Sequence, residues 1–276
     1  MIVDYHCHLA PDEQQLGPGH LTEEWIAAYA EAAVERDIGE LALTEHCHRF
    51  VQAAGISQHV FWNETAHADL DAYVAALASA RDAGLPIRVG IELDWLGTER
   101  VDALRALVAG RDLDIVLGSV HWLAGAMVDH PGYPVWESHS VDEVWRLYFD
   151  ELRRAAASGL YDVMAHPDLP KVFGDRPAGG VPQREYDDTA EAFAAAGVAC
   201  EISSAGLRKA AAELYPAPAF LQACAARGVP ITLAADGHRP VDVGRGIELA
   251  VRLAYESGYR TVTAFRGRDP RQEPLG

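Results

Sequence analysis

Ile2-Val3-Asp4-Tyr5-His6-Cys7-His8, at residues 2–8, is a β-rich run that ends in two histidines one residue apart. Side chains alternate along a strand, so His6 and His8 share a face and Cys7 takes the other. The pair offers two neutral nitrogen donors on one stiff backbone, which is what a bound metal ion requires. The same spacing returns near the other end of the chain, where the apolar run Ile231–Ala235 leads into Asp236-Gly237-His238. Between these lie β-rich runs at Leu41–Thr44, Ile87–Leu93, Ile115–Val120, Val163–His166 and Val198–Ile202. They alternate with helical patterns at Thr22–Arg36, Ala68–Ala83, Thr98–Val108, Val141–Ser158, Arg184–Ala196, Pro216–Arg227 and Asp242–Ser257. Ser140 and Glu143 form a capping-box signature before the apolar positions of one helix, and Leu70, Tyr73, Val74 and Leu77 have the spacing of a buried helical stripe in another. Seven strand-then-helix units predict an α/β fold with a closed parallel barrel; an open doubly wound sheet has the same alternation.

In a parallel barrel the C-terminal strand ends gather on one face, so donors far apart in sequence converge there. Here the first five runs and the seventh all end in such donors: His6 and His8, His46, Glu92, His121, His166, then Asp236 and His238. Recurrence at successive strand ends is what separates these histidines from ordinary core or surface ones. Glu92 can bridge two cations through its two oxygens, a role that imidazole does not normally fill. Asp94, two residues on, either orients a ligand or caps a helix. His20 sits in the loop Gly17-Pro18-Gly19-His20-Leu21, outside the strand-end series. Candidate substrate contacts are Arg208 after the sixth run, whose fork suits phosphate oxygens, with Lys171, Arg49 and His48 as further cations or donors.

The net charge of −18 argues against a nucleic-acid-binding surface, although a cluster of divalent ions would make one pocket locally positive. No apolar run approaches the ~20 residues of a membrane span, and the N-terminus lacks the basic and apolar regions of a signal peptide. A cytoplasmic protein is the expectation. Cys7, Cys47, Cys200 and Cys224 are scattered, unlike a disulfide framework or a zinc finger. Oligomeric state is not readable from one sequence.

The segments DYHCHL, TEHCHRF, GIELDW, GSVHWL, MAHPDL, SAGLRK and AADGHRP, taken in order, resemble the polymerase and histidinol phosphatase (PHP) superfamily, and within it the histidinol-phosphatase branch. The resemblance implies a single-domain, distorted (β/α)7 barrel, expected over residues 1–258; in the polar, proline-containing stretch 259–276, TVTAF at 261–265 reads as a marginal edge strand and the rest as a tail. It implies three divalent ions (Zn, Mn or Fe). The first would be held by His6, His8, Glu92 and Asp236, the second by Glu92, His121 and His166, and the third by His20, His46 and His238. Glu92, Asp236 and His238 then stand at the catalytic centre, and Arg208, His48 and Lys171 on the phosphate side. The implied activity is phosphomonoester hydrolysis by metal-activated hydroxide, with L-histidinol phosphate of histidine biosynthesis as the small substrate. The alternatives are another phosphomonoester, a nucleotide or a phosphodiester, an amidohydrolase-type C–N hydrolase, or a non-catalytic PHP module. Two loops, Ala10–His20 and His121–Ser140, match no family pattern and are the places where a leaving group would be recognised.

Overall fold

Strands covered on both faces must be apolar nearly throughout, and the central runs of this chain meet that condition. In the computed structural model, which describes residues 1–11 and 13–276, β1 (Val3–Cys7), β2 (Glu40–Leu43), β3 (Ile87–Asp94) and β4 (Ile115–Ser119) pair side by side and parallel. A short antiparallel hairpin, β5 (Trp122–Leu123) and β6 (Ala126–Met127), leaves the end of β4. The sheet then continues through β7 (Val163–Met164), β8 (Ala199–Ser203) and β9 (Ile231–Ala234), giving seven parallel strands in sequential order. Around them run α1 (Glu23–Glu35), the short α2 (Val60–Thr65), α3 (Leu70–Asp82), α4 (Val101–Val108), α5 (Val141–Ala157), α6 (Gln183–Ala196), α7 (Pro218–Ala226) and α8 (Ile247–Glu256). The capping box of α5 is present: Ser140 N–H donates to Glu143 Oε2 at 2.9 Å, and Glu143 N–H donates to Ser140 Oγ at 3.4 Å. This is the expected barrel, with element ends within a few residues of the sequence reading. Among the described residues no helix is long and apolar enough to cross a membrane.

The barrel closes between β1 and β9, and it closes unevenly. At the C-terminal strand ends, His8 N–H donates to Gly237 O at 2.7 Å and Gly237 N–H to His6 O at 3.3 Å. Beyond this bridge the ladder is replaced by a side chain. Asp4, fully buried, accepts Ala235 N–H on Oδ1 at 2.8 Å and Gly244 N–H on Oδ2 at 2.7 Å. Its carboxylate thereby supplies the acceptor that a regular strand pairing would have given Ala235, and it ties the turn at Gly244, before α8, to β1.

The marginal strand expected at 261–265 is present as β10 (Thr261–Arg266), and the expected tail beyond it is instead β11 (Asp269–Pro274), antiparallel to β10. Val262, Ala264 and Phe265 are buried, Phe265 lies 6.1 Å from the ring of Tyr5, and Phe265 N–H donates to Tyr5 Oη. Gly267 N–H reaches Asp114 Oδ1 at 2.9 Å and Arg268 pairs with Asp162 at 2.9 Å. Val262, Ala264 and Phe265 supply the apolar contacts, while most of β11 is exposed and polar, which is why the segment reads as a tail in sequence.

Asp4→Ala should leave two buried N–H groups without acceptors, at about 1–3 kcal/mol each. Denaturant unfolding of the metal-free protein should show the loss. An unchanged midpoint would mean that the seam does not depend on this carboxylate.

Candidate metal centre

Glu92 is 1% exposed and stands at the middle of an imidazole cage. Its Oε2 lies 2.5 Å from His46 Nδ1, 3.4 Å from His6 Nε2 and 3.7 Å from His8 Nε2; its Oε1 lies 3.1 Å from His166 Nε2 and 3.6 Å from His121 Nε2. Asp236 Oδ1 approaches His8 Nε2 at 3.4 Å and His238 Nδ1 at 3.8 Å. Three groups have donor atoms within 4.8 Å of one another: His6, His8 and Glu92; Glu92, His121 and His166; His8, His46 and His238. The strand-end donors thus come together as the sequence predicts, with His8 serving two of the groups.

Behind the cage sits a row of carboxylates that fixes the rings. His6 Nδ1 donates to Glu201 Oε2 at 2.9 Å, His8 Nδ1 to Glu45 Oε1 at 3.3 Å and His121 Nδ1 to Asp94 Oδ1 at 2.6 Å. Each bond leaves Nε2 with its lone pair facing inward, the usual way a metal-binding imidazole is oriented. Asp94 is therefore the partner of a candidate ligand and not a helix cap. Glu45 and Glu201 are missing from the sequence reading, although a glutamate inside the apolar strand Ala199–Ser203 is itself a signal, since a buried carboxylate needs a partner.

His6 Nε2 and His8 Nε2 are buried without a hydrogen-bond partner among the described residues. Both face the Glu92 carboxylate, and this convergence fits a divalent cation held by nitrogen and carboxylate donors. The backbone is strained at the same place: His166 has φ +28° and Asp236 φ +53°, positive values unusual for residues other than glycine.

His20 and Lys171 do not fit as read, and Arg208 fits only in part. His20 is apart from the cage; its Nδ1 accepts Gly17 N–H at 3.2 Å and its ring meets the edge of Trp25. The turn that places His20 in a glycine-rich loop also uses its donor, and His8 completes the third group in its stead. Lys171, fully buried, donates to Asp168 Oδ2 at 3.0 Å and Leu214 O at 2.8 Å, so its charge is neutralised inside the wall and is not available to phosphate. Arg208 Nη2 donates to Ala235 O at 2.6 Å and Asp236 O at 3.0 Å, bracing the backbone that presents Asp236; its Nη1 is buried with no partner among the described residues. His48 does line the cavity, stacked on His46 with ring centroids 4.9 Å apart and Nδ1 3.3 Å from Asp94 Oδ2.

The cavity over the cage has a volume of about 540 Å³. Its walls include Phe61, Tyr215, Lys209 and three carboxylates from loops and α2: Glu13, Glu64 and Asp129.

The sequence model of the PHP domain matches residues 20–205. The chain belongs to the PHP domain family. A Deinococcus radiodurans protein named "Probable histidinol-phosphatase" is 34% identical over 247 residues, spanning 87% of this chain and 90% of that protein. The histidinol phosphate phosphatase of Lactococcus lactis, solved with zinc, L-histidinol and phosphate, superposes with a TM-score of 0.77 at 19% identity over 98% of both chains. That superposition establishes the PHP-type barrel as the fold.

In the metal-free PHP site His6, His8 and His121 are held above the usual imidazole range. Burial works against the charged ring of His8, but Asp236 and Glu45 outweigh it and push its pKa up to about 9. Burial is likewise overcome at His121 by Asp129, Glu92 and Asp94, giving about 10. His46 goes the other way, down to about 3, through burial and the neighbouring His8 charge. Glu92 is held well below the usual carboxylate range: burial opposes this, and His46, His6 and His121 prevail.

Because both raised values exceed the unfolded value of about 6.5, these pairs stabilise the metal-free fold fully below that pH and lose effect as pH climbs through 9–10. Metal needs the neutral rings, so its uptake near pH 7 should release protons, and apparent affinity should rise up to about pH 9. Calorimetry in buffers of different ionisation enthalpy reads this directly; uptake without proton release would contradict the assignment of His8 and His121. Asp94→Asn should lower metal affinity about 10–100-fold by loosening His121.

Proposed function

We propose that this protein is a metal-dependent phosphomonoesterase that hydrolyses L-histidinol phosphate to L-histidinol and phosphate. The observation that carries the reading is the buried Glu92 shared by imidazoles from β1, β4 and the loops after β2 and β7, with the orphaned donors pointing at a common centre. The relatives named above support the substrate. In this reading His6, His8, Glu92 and Asp236 hold one divalent ion and Glu92, His121 and His166 a second, while His46 and His238 border a third position beside His8; Zn, Mn and Fe all suit such donors. Ions bound there supply an oxygen nucleophile at neutral pH and neutralise charge on the phosphoryl group.

The remaining residues act on the substrate. Arg208 offers Nη1 to a phosphate oxygen while its other amino group keeps the Asp236 backbone in place. Glu13, Glu64 and Asp129 give the outer cavity an acidic wall, suited to a leaving group that carries a cationic amine, as L-histidinol does. Phe61 and His48 provide flat surfaces for its imidazole ring. The C–N hydrolase alternative commonly uses a carboxylated lysine at the metals. The chain has only Lys171, which is committed to Asp168, and Lys209, which is exposed at the cavity.

Chelation should abolish turnover of histidinol phosphate, and added divalent metal should restore it. Glu92→Ala should lower kcat by at least about a hundredfold and reduce bound metal in the same sample. A substrate panel with metal analysis decides the reading: activity that survives complete metal removal, or a preference for phosphodiesters over histidinol phosphate, would sink it.

A further inference from the structure

Tyr215 is 1% exposed, yet its hydroxyl is buried with no hydrogen-bond partner among the described residues. It is a cavity-lining residue, its ring meeting that of His166 edge-on at 6.4 Å. A buried phenol left without a partner is unfavourable, and one that lines a cavity is placed to meet whatever the cavity holds.

The ring has little freedom to find another partner. Ser203 N–H donates to Tyr215 O at 2.7 Å and Tyr215 N–H to Ser203 O at 2.9 Å, which ties the residue to the end of β8. Gly206 lies against the ring so closely that a Cβ there would come within 3.0 Å of the Tyr215 Cε2 atom. On another side Lys171 Nζ sits 5.3 Å from the ring centroid, which accounts for the buried lysine: it helps hold the aromatic ring that faces the cavity. Burial, followed by the carboxylates of Asp129, Asp236 and Asp168, pushes the phenol pKa upward, so the hydroxyl keeps its proton at any working pH. A rigid neutral O–H beside a metal cage is a pre-organised donor awaiting an anionic acceptor.

We propose that Tyr215 Oη donates a hydrogen bond to a phosphoryl oxygen of the substrate, on the His166 side of the centre, and strengthens it as charge builds in the transition state. The inference rests on the phosphomonoesterase reading and extends it to a residue outside the metal cage and the arginine. It involves no proton transfer: the phenol holds its proton throughout, and only the hydrogen bond changes strength.

The test is Tyr215→Phe in the metal-loaded protein, with four readouts: kcat, affinity for inorganic phosphate, metal content and thermal stability. The expected result is a kcat reduced about 10²-fold and phosphate binding weakened about tenfold, with metal content unchanged. Melting temperature should stay level or rise, because the variant removes an unsatisfied buried hydroxyl. A purely structural hydroxyl would behave in the opposite way, with lower stability and unaltered turnover, and that outcome overturns the proposal. Unchanged phosphate affinity together with unchanged kcat overturns it as well. Should the wild-type holoenzyme turn over no phosphomonoester at all, the functional reading fails, while the phosphate titration still decides whether Tyr215 meets the anion.

Discussion

Everything at the centre depends on the seam between β1 and β9. Only when these two strands meet do His6 and His8 face Asp236 and His238, and only two backbone hydrogen bonds, both at Gly237, make the junction. The rest of the seam is carried by Asp4. A regular ladder there would tie the strands along their length. The short bridge instead leaves the loop after β9 free to turn at Asp236, where φ reaches +53°, and to deliver a carboxylate into the cage. Closure and ligand placement are the same event.

Electrostatics explain why the cage needs an outer row of acids. Imidazoles packed around a single glutamate present nitrogen atoms that have lost water and gained little in return. Glu201, Glu45 and Asp94 hold the far sides of three rings, keep them from rotating and raise their basicity. The result is a site built for positive charge, set in a chain whose net charge is −18. Strain at His166 and Asp236 and orphaned nitrogens at His6 and His8 gather around the same Glu92 carboxylate and its neighbour Asp236. Stability has been given up locally, in the pattern expected where binding repays it.

The fold was legible because each barrel strand is a short buried apolar run, and because the donors ride on strand ends, where alternation fixes which way a side chain points. His6, His8, Glu92, Asp236 and His238 could be placed from that rule alone. His20 could not, since a loop has no such rule and its ring is used by its own turn. Lys171 looked like a free cation because its partners, Asp168 and Leu214, are assembled by a helical turn and a distant loop. Tyr215 and Glu201 were invisible for a related reason: their significance lies in what does or does not reach them in space. Of the hairpin at 261–274 only the first strand shows in the sequence, because Val262, Ala264 and Phe265 are buried and apolar while the second strand is mostly exposed.

The seam also has a consequence for how the protein comes into being. Asp4 finds its partners 231 and 240 residues further along the chain. A ribosome therefore releases β1 long before β9 exists, and the first strand must wait with one edge unpaired while the intervening strands are made. Until residue 238 has been made, a nascent chain presents His6 and His8 without Asp236 and His238. The long sequence separation of the closing contacts favours late formation of the seam.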